Sequence, residues 1–349
     1  ETVMLILSIA VFILAGAAVY AAVRPAVTGL FPKLSLCFLV GLGAVSLQMF
    51  LYSLVSIDFG FFIIALPWAG LYALACFARR KTAGFSCGCG SDGTDGGEKA
   101  GWTGYILLAI ILSQAAYSFA YSTLLPVRGW DSWLIWFFKA RVFFIDGGVN
   151  GAFLLNPDYA YSHPDYPLLV PLSVAWVYTA LGRAGDATAK LLYPLQFVSM
   201  LFIFHWAVKK VSGASHAMLF TALLSLTPII LVHAGGFPNS IGPLAGGDYL
   251  GYADLMLSVC FLSAGVFLYL GMTGGGPSHL VLSALFLGLG AWTKNDGLPF
   301  AAFGVLLIAV HSIAGRRNLR PLVICACVLG VFIVPWSAYK AHLALGSDF

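Results

Sequence analysis

Residues 2–23 read TVMLILSIAVFILAGAAVYAAV, an apolar run without a single charge. As a helix rising about 1.5 Å per residue it is long enough to cross a hydrocarbon layer of about 30 Å. Comparable runs recur at 34–57, 59–78, 102–125, 190–208, 215–234, 251–271, 279–293, 298–314 and 321–339. The whole chain of 349 residues is 60% hydrophobic with a mean hydropathy of +0.92, and charged residues make up only 9%. Soluble domains carry about 25% charged residues, so this composition excludes a soluble enzyme, a disordered tail and a disulfide scaffold. Backbone polar groups in a bilayer must be satisfied within the segment. The expected fold is therefore all-α, a polytopic bundle of about ten transmembrane helices.

A further apolar stretch, 167–183, is shorter and opens Pro167-Leu168-Leu169-Val170-Pro171. Its second proline removes a backbone donor that a spanning helix would want. If 167–183 crossed the membrane, Lys209-Lys210 and Arg316-Arg317-Arg320 would lie opposite Arg79-Arg80-Lys81, against the positive-inside bias. If it is re-entrant or lies flat at the interface, all three clusters share the cytoplasmic side with Arg24 and Lys33. The outer side then holds 126–189, 235–250 and 294–297. That arrangement gathers Asp131, Asp146, Asp158, Asp165, Asp186, Asp248, Asp254 and Asp296 on or near the outer face. Ordinary solvated loop carboxylates account for Asp146, Asp158 and Asp186.

The net charge of +4 is small and scattered, which excludes a nucleic-acid partner. Of seven cysteines, Cys37, Cys76, Cys260, Cys325 and Cys327 sit in apolar stretches and read as small hydrophobes, while Cys87 and Cys89 look solvated. A lone C-x-C offers two of the four ligands a structural zinc needs, so no metal centre is implied there. The opening run has no basic segment before it and reads as a first span rather than a cleaved signal.

Chemistry concentrates in the outer segments. The longest begins Arg128-Gly129-Trp130-Asp131-Ser132-Trp133 and continues through Trp136 and Phe137 to Lys139 and Arg141. Aromatic residues at near-helical spacing predict an interfacial helix that buries Trp130, Trp133, Trp136 and Phe137 at headgroup level, with Lys139 and Arg141 placed to snorkel or to meet a lipid phosphate. Asp131, between two tryptophans at the mouth of a span, is partly desolvated and needs a partner or a task. It could act as a general base, cap the interfacial helix, or pair with Arg128 or Lys139; the residues alone leave these open. Further on, His163-Pro164-Asp165-Tyr166-Pro167 approaches the short apolar stretch in extended form. His163 could orient a substrate, bind a metal or simply hydrogen-bond within its loop. Tyr252-Ala253-Asp254 puts a carboxylate deeper than a loop requires, and Lys294-Asn295-Asp296-Gly297 is good turn chemistry that sets a cation at the outer interface.

Taken in order, Trp130-Asp131-Ser132-Trp133, Lys139-Ala140-Arg141, His163-Pro164-Asp165-Tyr166-Pro167-Leu168-Leu169, Tyr252-Ala253-Asp254 and Thr293-Lys294-Asn295-Asp296-Gly297 resemble the integral-membrane glycosyltransferases of the GT-C superfamily. The ArnT-like and protein-O-mannosyltransferase-like bacterial members are the nearest, over roughly residues 102–320. The resemblance implies a GT-C type bundle in the bacterial inner membrane with a periplasmic active site. Its substrates would be a polyprenyl-phosphate sugar donor and a lipid, glycan or protein acceptor. It implies Asp131 as catalytic base, Asp254 as a second catalytic carboxylate with Asp248 in reserve, and Lys139, Arg141 and Lys294 on the donor phosphate. Trp130, Trp133, His163, Asp165, Tyr166, Asp248, Tyr252, Asn295 and Asp296 would line the substrate site. No cofactor is firmly implied, and a divalent metal has no support from ligand spacing.

Two departures shape the expected domains. Three spans precede the one leading to Asp131 where the family commonly has one, so residues 1–101 form an added three-helix module carrying a cytoplasmic Gly-rich loop. Residues 102–349 form the catalytic membrane domain, which ends sooner than the family pattern. Two rival readings are a secondary transporter and a non-catalytic polyprenyl-lipid binder or flippase. Against transport, the polar mid-span residues are Gln48, Gln196, His205 and His233, without an acidic chain across the bilayer or a clear repeat.

Overall fold

The computed structural model describes residues 1–82, 101–236, 249–314 and 319–346, with backbone alone at 79–82. The expectations placed on Cys87, Cys89, Asp248 and Arg316-Arg317 lie outside the described residues, as do those on the side chains of Arg79, Arg80 and Lys81. Four long helices come first: α1 (Thr2–Val23), α2 (Leu30–Leu54), α3 (Phe61–Thr82) and α4 (Trp102–Leu124). A single π-helical turn, Ser132–Trp136, runs straight into α5 (Phe137–Ile145). The short α6 (Gly151–Leu154), a 3₁₀ turn at Pro157–Ser162, α7 (Leu169–Leu181) and α8 (Asp186–Ala189) follow. The rest is α9 (Leu192–Ser212), α10 (Ala214–Ser225), α11 (Pro228–Gly235), α12 (Asp254–Leu270), α13 (Pro277–Thr293), α14 (Gly297–Ala314) and α15 (Arg320–His342). Among the described residues there is no strand.

Among the described residues, eight helices are long and apolar enough to span a membrane: α1 to α4, the α8–α9 unit, α12, α14 and α15. The segment 215–234 is two helices, α10 and α11, bent by 65°. Pro228 explains the break, because a proline disfavours helical geometry at Thr227 before it and suits the first turn of a new helix after it. At 17 residues, α13 falls short of the roughly 20 that a full crossing takes. Helix α7 has 13 residues, about 20 Å of rise, and buries nearly its whole surface in protein. Pro171 lies in its first turn, where its missing N–H would have had no intrahelical partner. The proline therefore sets where α7 starts and does not break it.

Helix α2 is the hub. Its best window is 89% buried, against 6% for α4, which stands at the periphery. Gly16 and Gly41 let α1 and α2 touch backbone to backbone, since a Cβ at either would collide with the main chain of Cys37 or Phe12. Close approach through small residues is how helices adhere where water provides no hydrophobic drive. Buried indoles tie these two helices to their neighbours: Trp292 on α13 donates to Ser46 Oγ of α2 at 2.9 Å, and Trp176 on α7 donates to the Ser8 carbonyl of α1 at 3.1 Å. Phe50 meets Trp292, Trp336 and Tyr339 at ring separations of 5.5, 5.8 and 5.5 Å, fastening α2 to α13 and α15. Each such contact contributes about 0.5–1.5 kcal/mol beyond burial.

Candidate active site

Helix α4 ends at Leu124, two residues before Pro126, and the chain re-enters helical geometry at Gly129, whose carbonyl accepts from the Trp133 amide at 3.0 Å. Asp131 stands at the head of the π-turn with no side-chain capping bond. Single π-turns are rare and frequent at functional sites. The aromatic residues here do not form one buried stripe: Trp136 and Phe137 are buried, whereas Trp130 and Trp133 are 68% and 56% exposed. The π-turn sends Trp130 and Trp133 outward while Trp136 and Phe137 enter the core.

A clamp joins this turn to the chain before α12. Ser132 Oγ donates to the Leu250 carbonyl, Tyr193 Oη donates to the Gly251 carbonyl at 2.8 Å, and the Asp131 amide makes a long 3.4 Å bond to Tyr252 Oη. Gly251 has φ +98°, and a Cβ there would lie 2.8 Å from Ser132 Cβ and Oγ, so both backbone angle and space require glycine. The clamp sets Asp254, the first residue of α12, close enough to Asp131 for the two carboxylates to repel.

Lys294, which closes α13, completes the cluster at 3.1 Å from Asp254 and 3.4 Å from Asp296. Gly297 makes the turn possible, since a Cβ there would collide with the Gly290 backbone. Burial works against the Lys294 ammonium, but the Asp254 and Asp296 carboxylates outweigh it and hold its pKa above the ordinary lysine value. Asp131 is raised above the usual carboxylate range, first by burial and then by the Asp254 charge, with Lys294 and His163 pulling the other way. Among the described residues no cation lies within ion-pair distance of the Asp131 carboxylate. Among the described residues it thus lacks the ion pair that Asp254 has with Lys294.

The other residues singled out from sequence fall into separate groups. Asp165 is buried, accepts from Asn295 Nδ2 at 3.0 Å and lies 3.9 Å from Lys340 Nζ, which straps the approach to α7 onto the α13–α14 turn and α15. Lys139 is fully buried, donates to the His163 carbonyl at 2.9 Å and sits 5.1 Å and 5.7 Å from the Trp136 and Tyr166 rings. Tyr166 also stacks on the His163 ring at 4.7 Å. Burial pulls the Lys139 ammonium down to about 7 against the opposing attraction of Asp165. Arg141 is engaged with Asp186, whose carboxylate also accepts from Tyr178 Oη. Lys294 thus belongs to the Asp131 cluster, whereas Arg141 and Lys139 are committed elsewhere.

Ser132, Tyr193, Gly251 and Lys340 hold these groups together and were not singled out from sequence as site residues. Ser132 lies within a quoted motif and Gly251 directly before one; Tyr193 lies inside an apolar run, where nothing in the one-dimensional pattern marks it, and Lys340 is a lone charge just past the run 321–339 with no motif around it. Among the described residues no group of three or more His, Cys, Asp or Glu is placed to hold a metal. No family model, no curated protein and no solved structure matches the chain.

Proposed function

We propose that this chain is a membrane glycosyltransferase that moves a sugar from a polyprenyl-phosphate donor to an acceptor hydroxyl, with inversion, at the outer face of a bacterial inner membrane. One observation carries the reading: Asp131, Asp254 and Lys294, from three distant segments, converge at one end of an apolar helical bundle. A proton acceptor and an anion-binding cation beside each other are what transfer from a lipid phosphate needs. The order of motifs resembling the GT-C transferases supports the same reading.

Asp131 takes the proton of the acceptor hydroxyl as its oxygen forms the bond to the anomeric carbon. The bond from that carbon to the phosphate oxygen breaks, its electron pair leaves with the polyprenyl phosphate, and Lys294 offsets the developing charge. Asp254 and Asp296 keep Lys294 protonated and positioned. With Asp254 already bonded to Lys294, a single free carboxylate fits inversion better than a nucleophile and acid pair about 5 Å apart. Lys139 and Arg141 position the outer segment, and the acceptor is a lipid, glycan or protein hydroxyl.

The test of reaction class uses purified protein in lipid nanodiscs and a panel of radiolabelled polyprenyl-phosphate sugars. Time-dependent loss of label from one donor, with equimolar polyprenyl phosphate formed, is the expected result. An intact panel, together with solute flux in proteoliposomes, would replace the reading with transport.

A further inference from the structure

His233 read from sequence as a polar residue inside a span, and the reaction above gives it no part. The 65° bend between α10 and α11 carries it instead to the Asp254 end of the bundle. Its Nδ1 lies 2.8 Å from the Ile229 carbonyl, which can only accept, so Nδ1 bears the proton of the neutral ring and Nε2 presents a lone pair. The ring stacks on Tyr249 at 5.0 Å and 10° and meets Tyr252 edge-on at 6.0 Å. Among the described residues Nε2 has no hydrogen-bond partner. His233, Asp254 and Ser258 share a cavity of about 250 Å³ whose other walls are Ile229, Ile230 and Leu255. That is below the roughly 300–1,000 Å³ of drug-sized ligand sites and suits one ring.

The polar groups facing this cavity are chiefly acceptors: a carboxylate, an imidazole lone pair and a hydroxyl. Lys294 pairs with this carboxylate, and among the described residues no second carboxylate lines the cavity and no group of three His, Cys, Asp or Glu is placed to hold a metal ion. The cavity's complement is a neutral molecule that donates several hydrogen bonds and has an apolar face for Ile229, Ile230 and Leu255. We infer that the His233–Asp254–Ser258 cavity is a hydroxyl-recognition subsite that seats the sugar ring of the donor, with His233 Nε2 and Asp254 accepting from its hydroxyl groups. This rests on the glycosyltransferase reading and adds where the sugar sits and which side chains recognise it.

The test is the ratio of affinities for sugar-bearing and bare polyprenyl phosphate, measured in nanodiscs across hexose- and pentose-bearing donors. Wild type is compared with His233→Phe, which keeps a flat ring against Tyr249 but has no acceptor, and with His233→Gln, whose amide oxygen restores one. Wild type is expected to prefer at least one sugar-bearing lipid. That preference falls about tenfold in His233→Phe, the order of one lost hydrogen bond, and returns in part in His233→Gln. Affinity for bare polyprenyl phosphate and the thermal midpoint stay close to wild type in both variants. A preference undiminished in His233→Phe, or wild type binding bare and sugar-bearing lipids alike, overturns the subsite. No affinity of wild type for any polyprenyl phosphate overturns the glycosyltransferase reading itself.

Discussion

Asp131 is half-buried and Lys139 fully buried in the segment that follows α4, and the two respond to pH in opposite ways. In the proposed mechanism Asp131 acts only when ionised, so the acid limb of the transfer rate is expected above the ordinary aspartate value of about 3.9. Asp254 is one of the charges raising it, so Asp254→Asn shifts that limb to lower pH; Lys294 lowers it, so Lys294→Met shifts the limb to higher pH. A pH profile of single-turnover transfer in the two variants checks both signs, and unmoved limbs would detach Asp131 from the rate. Burial holds the folded Lys139 ammonium down at about 7, below the ordinary lysine value of about 10.4. Between those values the unfolded chain holds a proton that the folded chain does not, so stability rises with pH across that window, and the burial cost is complete below it. Thermal midpoints in detergent should climb from pH 7 to pH 10 in wild type and lose that climb in Lys139→Met. Asp131, Asp254 and Lys294 were legible in sequence because each interrupts an apolar run. The separate engagements of Lys139 and Arg141 were not, because a cation beside an aromatic stripe reads alike whether it faces a phosphate or the Asp186 carboxylate.

At the level of elements, the site depends on where three helices begin or end: the π-turn that opens α5, the first residue of α12 and the residue that caps the end of α13. Gly251 locks the first two. Gly251→Val meets both a left-handed backbone angle and the Ser132 side chain, and is expected to cost about 2 kcal/mol or more while separating Asp131 from Asp254. Transfer should then fall further than the melting temperature accounts for, measured at a temperature where the variant stays folded; activity in proportion to folded protein would show that the clamp is not needed. Ser132→Ala removes one hydrogen bond of the same clamp and should act in the same direction by about 1 kcal/mol. Hydropathy located most of these helices well, since a run such as 2–23 offers the chain little alternative. It could not separate 215–234 into α10 and α11, or recognise α7 as an interior helix, because apolarity does not distinguish lipid from protein as the neighbour. Pro228 and Pro171 were the local signals, and their positions in first turns give them meaning only once the helix starts are known.

For the whole molecule, an apolar bundle with α2 at its hub carries the Asp131, Asp254 and Lys294 cluster at one end, and the proposed function sets that end outside the cell. A cysteine at the exposed Asp158 should react with a membrane-impermeant thiol reagent in intact cells, while one at the exposed Lys210 should react only after permeabilisation. The reverse pattern would invert the molecule and move the site to the cytoplasm. Sequence conveyed the all-helical class through composition, and its charge bias grouped Asp131, Asp254 and Asp296, which the structure brings into one cluster with Lys294. It did not convey how α1 and α2 engage the rest, because that depends on Gly16, Gly41 and the Trp176 and Trp292 hydrogen bonds, contacts that exist only in three dimensions. The most direct test of the account is the rate of sugar transfer by Asp131→Asn beside wild type, in nanodiscs, with matched thermal midpoints and donor affinities. The account predicts a loss of about 100- to 10,000-fold, the range of a general base. Turnover within a few-fold of wild type would contradict it.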